Sequence, residues 1–144
     1  MKSIITVVDK LVKKYSTNCP FKIARHLGIE IMYENLGQYN LGYYNKKFRV
    51  KMIHINQNAG ERQKIFICAH ELSHAICHPD ANTPFLKKNT FFSTEKIEME
   101  ANYFAVRLLF SKEYFKEEVS LTEAIYEYGI PEQLVFSVVN SKNF

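Results

Sequence analysis

The segment spanning residues 65–78 constrains the fold of this chain most strongly, because its residues divide into two helical faces. His70 and His74 are four residues apart, so on an α-helix they lie one turn apart and can direct both imidazoles at one point. The opposite face is apolar and carries Ile65, Cys68, Ala69, Leu72, Ala75 and Ile76. This pattern predicts a helix that packs on the core with one face and lines a cleft with the other.

The histidine face of this helix predicts a metal site. Two histidines with this spacing can bind one divalent ion, and Glu71 lies about 100° round the helix from His70. That offset keeps the Glu71 carboxylate off the metal but within reach of an adjacent water, which is the place of a general base. A catalytic zinc ion has three protein ligands and one open position, so a third ligand must come from elsewhere in the chain.

His78 continues the four-residue spacing but does not suit the role of third ligand. On a straight helix it stands about 12 Å along the axis from His70, too far for both to reach one ion. Pro79 follows it, and no glycine between His74 and His78 allows a sharp turn. We predict that His78 ends the helix or contacts one of the metal ligands without binding the metal itself.

A second helix, predicted over residues 94–110, offers a better ligand. Its apolar face consists of Ile97, Ala101, Phe104, Ala105, Leu108 and Leu109. Glu98 falls on this face, where an unpaired carboxylate is costly unless it is paired or bound to a metal. Glu98 is therefore predicted as the third ligand.

Two other polar residues of this helix need separate roles. Glu100 lies on the polar flank four residues after Lys96, where an exposed ion pair is its simplest role, and it is the alternative third ligand. Asn102 lies one turn beyond Glu98. Its side-chain oxygen could accept the second N–H of a ligand histidine and so fix the ring.

Over residues 58–109 these motifs resemble the ImmA/IrrE family of metallo-endopeptidases. The resemblance is carried by Glu61-Arg62-Gln63, by Ala69-His70-Glu71-Leu72-Ser73-His74-Ala75, and by Glu98-Met99-Glu100-Ala101-Asn102-Tyr103-Phe104-Ala105 with Leu108-Leu109. It implies one Zn²⁺ ion held by His70, His74 and Glu98 in a gluzincin-like site, with Glu71 as catalytic base. The chain departs from the family pattern after Leu109, where it has Phe110-Ser111 in place of the Met-Pro that is common in the family.

The resemblance also implies a biological role. Many family members, especially small ones on mobile genetic elements, cleave a helix-turn-helix transcriptional repressor and so act as anti-repressors. This substrate enters by analogy, because neither composition nor spacing identifies it.

A change of period between the N-terminal and metal helices predicts a small antiparallel sheet over about residues 29–56, next to the metal-binding helix. Residues 29–33 alternate in polarity, and residues 45–47 are predicted to be a hairpin turn before a strand at Phe48–Ile55. We expect this strand to be an edge that pairs with extended substrate. An oxyanion donor should complete the site; Tyr44, Tyr103 and His54 are the candidates, and the sequence does not choose among them.

The remaining segments predict one α+β domain over residues 1–144, zincin-like and mostly helical. An amphipathic N-terminal helix carries Ile4, Val8, Leu11, Val12 and Tyr15. The first metal helix is predicted over about 59–78 with Asn58 as N-cap. C-terminal helices are predicted over about 111–141, with Ser120–Glu123 as a capping box and Gly129 as a stop.

The helix-glycine-helix spacing of this C-terminal region is also typical of a helix-turn-helix unit. It raises an alternative, a DNA- or protein-binding regulatory module with a structural metal site. Phosphate contacts require basic residues, whereas this region is rich in glutamate: Glu117, Glu118, Glu123, Glu127 and Glu132. The formal net charge of +4 is modest. Direct nucleic-acid binding is therefore not expected.

The N-terminus predicts a cytoplasmic protein without a membrane partner. Only five uncharged residues, Ile4–Val8, separate Ser3 from Asp9, and this run is too short for a signal peptide or a membrane span. The three cysteines are odd in number and lack paired metal-ligand spacing, which favours reduced thiols. Taken with the family resemblance, these features predict a cytoplasmic zinc metallo-endopeptidase.

Overall fold

The helix predicted around His70 forms the buried centre of the fold. The computed structural model describes residues 2–83, 86–110, 125–126 and 128–139. Its helices are α1 (Lys2–Tyr15), α2 (Pro20–His26), α3 (Glu61–Cys77), α4 (Lys96–Leu109) and α5 (Glu132–Val139), with a 3₁₀ helix at Lys88–Phe92. Its strands are β1 (Glu30–Glu34), β2 (Gly42–Lys47) and β3 (Val50–Asn56). The predicted α+β peptidase architecture is confirmed.

The sheet is mixed, with the strand order β1-β3-β2. β1 runs parallel to β3 and β2 runs antiparallel to it, so the expectation of a purely antiparallel sheet is wrong. The reason lies in residues 35–41, which carry the chain from β1 past the position of β3 before β2 turns back. The hairpin then returns β3 to the middle of the sheet, where Ile53 and Ile55 are fully buried.

This topology also corrects the predicted substrate-pairing edge. The strand predicted at Phe48–Ile55 corresponds to β3, which is central, so its backbone groups pair with strands on both sides. β2 is an edge strand, and the segment after α3 meets it. Leu86 N–H donates to the Gly42 carbonyl at 2.7 Å, and Tyr44 N–H donates to Thr83 Oγ1 at 2.9 Å.

The hairpin turn lies later than predicted. Asn45 and Lys46 are within β2, paired with Met52 and Lys51, and the two-residue turn is Phe48-Arg49. Both turn residues have positive φ, 51° and 70°, as a type I′ turn requires. The sequence signal was weak because neither residue is the glycine or asparagine usual in such a turn.

The start of α3 differs from the prediction by two residues. Gly60 is its N-cap and offers no side-chain cap, whereas Asn58 donates through Nδ2 to Asn35 Oδ1 at 3.2 Å. The predicted Asn58 cap is therefore wrong. The helix α2 was not predicted; it begins at Pro20, a residue well suited to a first helical turn.

The amphipathic helices pack as expected. Ile4, Val8 and Val12 of α1 are buried, and α1 packs against α4. α4 in turn lies along α3, and this contact brings the two predicted ligand helices together. The region 111–124, with the predicted capping box, lies outside the described residues. Gly129 has φ +68° and ends the preceding helical turn as predicted.

Gly42 marks a close approach between β2 and α3. An added Cβ would lie 2.6 Å from the His54 carbonyl oxygen and 2.6 Å from Ile67 Cγ2. We expect Gly42→Ala to lower the free energy of unfolding by about 1–3 kcal/mol, because backbone must shift to accept the methyl group. Urea unfolding would measure this. Gly60→Ala, where nothing lies within 4 Å, is the control; equal losses at both sites would contradict the prediction.

Among the residues that the structure describes, none of the helices combines the length and apolar character needed to cross a bilayer.

Candidate metal centre

The contact between α3 and α4 brings His70, His74 and Glu98 together. Glu98 Oε2 lies 3.1 Å from His70 Nε2, and Glu98 Oε1 lies 3.0 Å from His74 Nε2. Nitrogen and oxygen ligands of a tetrahedral zinc ion, each about 2.0–2.1 Å from the metal, are about 3.3 Å apart. The observed separations are close to that value. All three residues are at most 4% exposed.

His70 is held in one orientation by Asn102. His70 Nδ1 lies 2.9 Å from Asn102 Oδ1, and Asn102 Nδ2 donates to the Thr90 carbonyl at 3.2 Å. The carbonyl can only accept, so the Asn102 amide must direct its nitrogen there and its oxygen at His70. His70 Nδ1 then carries a proton, and Nε2 faces Glu98. Sequence alone gave no sign that the Thr90 backbone would orient this amide.

His74 and Glu98 approach each other without forming a hydrogen bond. His74 Nε2 and Glu98 Oε1 are both buried, and neither has a hydrogen-bond partner among the described residues despite their 3.0 Å separation. Buried polar atoms left in this way are costly unless something else satisfies them. Two imidazole nitrogens and a carboxylate are a ligand set of catalytic zinc sites, so these residues fit a metal ion.

Glu71 is the other carboxylate at this centre. Ligand atoms of His70, Glu71 and His74 lie within 4.8 Å of one another, so Glu71 competes with Glu98 for the place of third ligand. Glu98 reaches both imidazoles, whereas both Glu71 oxygens are buried without a hydrogen-bond partner among the described residues. This difference favours Glu98 as ligand and Glu71 as base.

The two carboxylates have opposite pKa shifts. Burial raises the pKa of Glu71 well above its usual value, and the negative charge of Glu98 raises it further. Burial also raises the pKa of Glu98, but the hydrogen bond with His70 and the charge of the two nearby imidazoles outweigh it and lower the pKa to about 2. Glu98 is thus ionised, as a metal ligand must be, and Glu71 readily holds a proton.

His78 is the C-cap residue of α3, so it ends the helix as predicted. Its Nδ1 lies 3.3 Å from His74 Nδ1, and its Nε2 lies 3.3 Å from Glu100 Oε2. The predicted ion pair with Lys96 is present, with Lys96 Nζ 4.0 Å from Glu100 Oε1, but the predicted exposure of Glu100 is wrong, because its side chain is only 19% exposed. Glu100 contacts His78, not the two α3 ligands.

The structure separates the predicted oxyanion donors. The Tyr44 hydroxyl donates to the Pro79 carbonyl at 2.6 Å, so it is committed away from the metal centre. The His54 ring stacks on Tyr43 and directs its nitrogens at Asn45 and Glu34 across the sheet. Neither side chain therefore directs its polar atoms at the metal centre. Tyr103, buried on α4 beside Asn102, stays a prediction.

The raised pKa of Glu71 predicts a pH effect on the metal-free protein. Between the usual carboxyl pKa and the raised one, the folded state binds more protons than the unfolded state, so stability falls as pH rises. Glu71→Gln removes this loss. We expect the unfolding free energy of Glu71→Gln to exceed that of wild type by an amount that grows by up to about 1.4 kcal/mol per pH unit above about pH 4.5.

Urea unfolding of chelator-treated wild type and Glu71→Gln from pH 4 to 8 would measure the difference. Parallel curves would show that burial does not impede ionisation of Glu71.

Comparison with known proteins shows the family of the chain. The profile of peptidase family M78, described as the IrrE N-terminal-like domain, matches residues 24–135. The chain is 40% identical over 135 residues to "Uncharacterized immunity region protein 2" of Bacillus phage phi105, covering 91% of this chain and 85% of that protein.

A second relative carries a functional name. The chain is 28% identical over 144 residues to "Metallopeptidase ImmA" of Bacillus subtilis strain 168, covering 99% of this chain and 81% of the relative. No solved structure matches significantly. With a family profile that spans most of the sequence, including both ligand helices, the chain belongs to the IrrE N-terminal-like family of metallopeptidases.

Proposed function

We propose that this protein is a zinc-dependent endopeptidase of the cytoplasm and that its substrate is a helix-turn-helix transcriptional repressor. One observation carries the proposed reaction: both oxygens of Glu71 are buried beside His70, His74 and Glu98 without a hydrogen-bond partner among the described residues. A carboxylate without partners at such a place is suited to exchange protons with water and substrate.

His70, His74 and Glu98 would hold the zinc ion. When bound, zinc supplies Lewis-acid chemistry, because it lowers the pKa of water towards neutrality and polarises a peptide carbonyl. The Glu71 carboxylate takes a proton from the water that adds to the carbonyl carbon. It then delivers that proton to the leaving nitrogen as the C–N bond breaks, so Glu71 begins and ends as a carboxylate.

The environment of Glu71 suits both halves of this exchange. Its raised pKa, caused by burial and by the charge of Glu98, brings its proton affinity closer to that of a group that works near neutral pH. A metal cation beside it would offset part of the rise, because positive charge favours the ionised form. Asn102 contributes by holding the His70 ring.

The substrate is proposed from family and relatives. Many members of this family, especially small ones on mobile genetic elements, cleave helix-turn-helix repressors. A relative of this chain is named as an immunity region protein of a phage. Cys19, Cys68 and Cys77 are free thiols, in keeping with a reducing cytoplasm where such a repressor would be found.

The direct test is cleavage of a helix-turn-helix repressor encoded beside the gene. Purified protein with Zn²⁺ should convert the repressor into two fragments identifiable by mass spectrometry. A chelator should stop cleavage, and added Zn²⁺ should restore it. Glu61→Gln is a matched control, because the Glu61 side chain is 91% exposed at the other end of α3 and should be dispensable.

Two outcomes would overturn the proposal. If the zinc-loaded protein cleaves neither the repressor nor any of a set of unrelated unfolded proteins, peptidase activity is excluded. A shift of DNA in a gel without any proteolysis would instead support the DNA-binding alternative.

A further inference from the structure

The two ligand histidines of α3 contact different groups through their Nδ1 atoms, the nitrogens that face away from Glu98. His70 Nδ1 meets the amide oxygen of Asn102, a neutral group of α4. His74 Nδ1 meets another imidazole, that of His78, at 3.3 Å. His78 in turn lies 3.3 Å from the Glu100 carboxylate. The support of His74 is therefore a chain of two residues that ends in a negative charge.

The backbone at the end of α3 makes this contact possible. His78 is the C-cap residue, with φ −134° and ψ 54°, and its N–H still donates to the His74 carbonyl at 2.8 Å. His78 is thus held one turn beyond His74 although the helix has ended. The spacing that keeps His78 from sharing a metal with His70 places its ring beside the outer face of His74, with centroids 5.5 Å apart.

The directions of the protons in this chain are mutually consistent. An ionised Glu100 can only accept, so His78 Nε2 carries the proton that points at it. A neutral His78 then has a lone pair on Nδ1, which accepts from His74 Nδ1–H. His74 is left with its lone pair on Nε2, the nitrogen that faces Glu98. Each ring has the tautomer that the next one requires.

We propose that His78 and Glu100 are positioning residues, which hold His74 as its Nδ1–H tautomer and aim its Nε2 at the metal. This inference rests on the proposed function only in requiring that the centre binds a metal. Outer partners of this kind orient ligand histidines and raise their basicity. The 19% exposure of Glu100 and 17% of His78 keep water from easily replacing either contact.

The competing role for Glu100 is an ion pair with Lys96 on the surface of α4. Lys96 is 89% exposed and its Nζ is 4.0 Å from Glu100 Oε1, so that pair is weak. Lys96→Gln therefore tests the alternative. It removes the ion pair and leaves the contact between His78 and Glu100.

Metal affinity, measured by competition between the full-length protein and a zinc chelator, is the first readout. His78→Phe keeps a ring but removes both nitrogens, and we expect a 10–100-fold loss of affinity. His78→Asn offers an oxygen near the position of Nδ1 and should recover much of it. Glu100→Gln retains an acceptor without the charge and should lose less than His78→Phe, whereas Lys96→Gln should match wild type.

The second readout reports on the proton itself. In zinc-loaded, ¹⁵N-labelled wild type, His74 Nδ1–H should give an exchange-protected imidazole proton in NMR spectra. In His78→Phe that proton should exchange quickly with water. A merely structural role of His78 would not produce this change. If His78→Phe fails to fold, the wild-type signal together with His78→Asn and Glu100→Gln still decides the matter.

Unchanged zinc affinity in His78→Phe, or an unprotected His74 Nδ1 in wild type, would overturn the proposal. This failure is distinct from failure of the proposed function. A protein that binds zinc through a protected His74 but cleaves nothing would contradict the peptidase assignment and leave the positioning role intact.

Discussion

Glu71→Gln is expected to abolish nearly all peptide hydrolysis while the protein still binds its metal. The amide is almost the same size as the carboxylate, but it cannot accept the proton of water. Loss of a general base lowers rates by about 10²–10⁴-fold. Because both Glu71 oxygens are buried without a hydrogen-bond partner in the described part of the chain, the substitution breaks no contact seen there. The folded state should therefore persist.

The measurement is kcat/KM for cleavage of a repressor substrate, with zinc content determined in the same preparations. Exposed Glu61→Gln serves as the matched control and should cleave at the wild-type rate. If Glu71→Gln also lost its zinc, Glu71 would be a metal ligand in place of Glu98. A wild-type rate for the variant would remove Glu71 from the mechanism.

Glu98→Ala is expected to weaken zinc binding far more than any other substitution on α4. Glu98 is the carboxylate that reaches both His70 and His74, and its low pKa keeps it ionised over the whole neutral range. Its removal deletes a direct ligand, and we expect a loss of affinity beyond the roughly 100-fold limit typical of outer partners. Chelator competition measures this quantity.

The matched substitutions are Glu100→Ala on the same helix and Glu95→Ala at its N-cap. Glu100 acts through His78 in our proposal, so its loss should fall within about 10–100-fold. Glu95 is exposed at the N-terminal end of α4 and should have no effect. A larger loss for Glu100→Ala than for Glu98→Ala would show that the predicted helical phase is wrong.

Local periodicity predicted the helices that carry the site. The four-residue spacing of His70 and His74 and the placement of Glu98 on an apolar face depend only on helix geometry, which is the same in any fold. The structure places these three side chains around one point. Capping was less predictable, since Asn56 and Asn35 engage Asn58 in contacts that no local pattern indicates.

The strand order of the sheet could not be predicted, because it depends on contacts between segments that are far apart in the sequence. Alternating polarity located the strands to within a few residues, but it carries no information about which strand lies in the middle. The parallel pairing of β1 with β3 depends on the path of residues 35–41. For the same reason the sequence offers Tyr44 and His54 as candidate oxyanion donors, although in the fold Pro79, Asn45 and Glu34 engage their polar atoms.

Sequence predicts which residues can bind a metal and which carboxylate can act as a base, because ligand spacing and helical phase are properties of a single segment. Tertiary structure decided the pairing of Glu100 with His78, the orientation of Asn102 by Thr90, and the central place of β3. These features depend on how separate segments pack. Packing energy is shared among many residues far apart in sequence, so no short pattern encodes it.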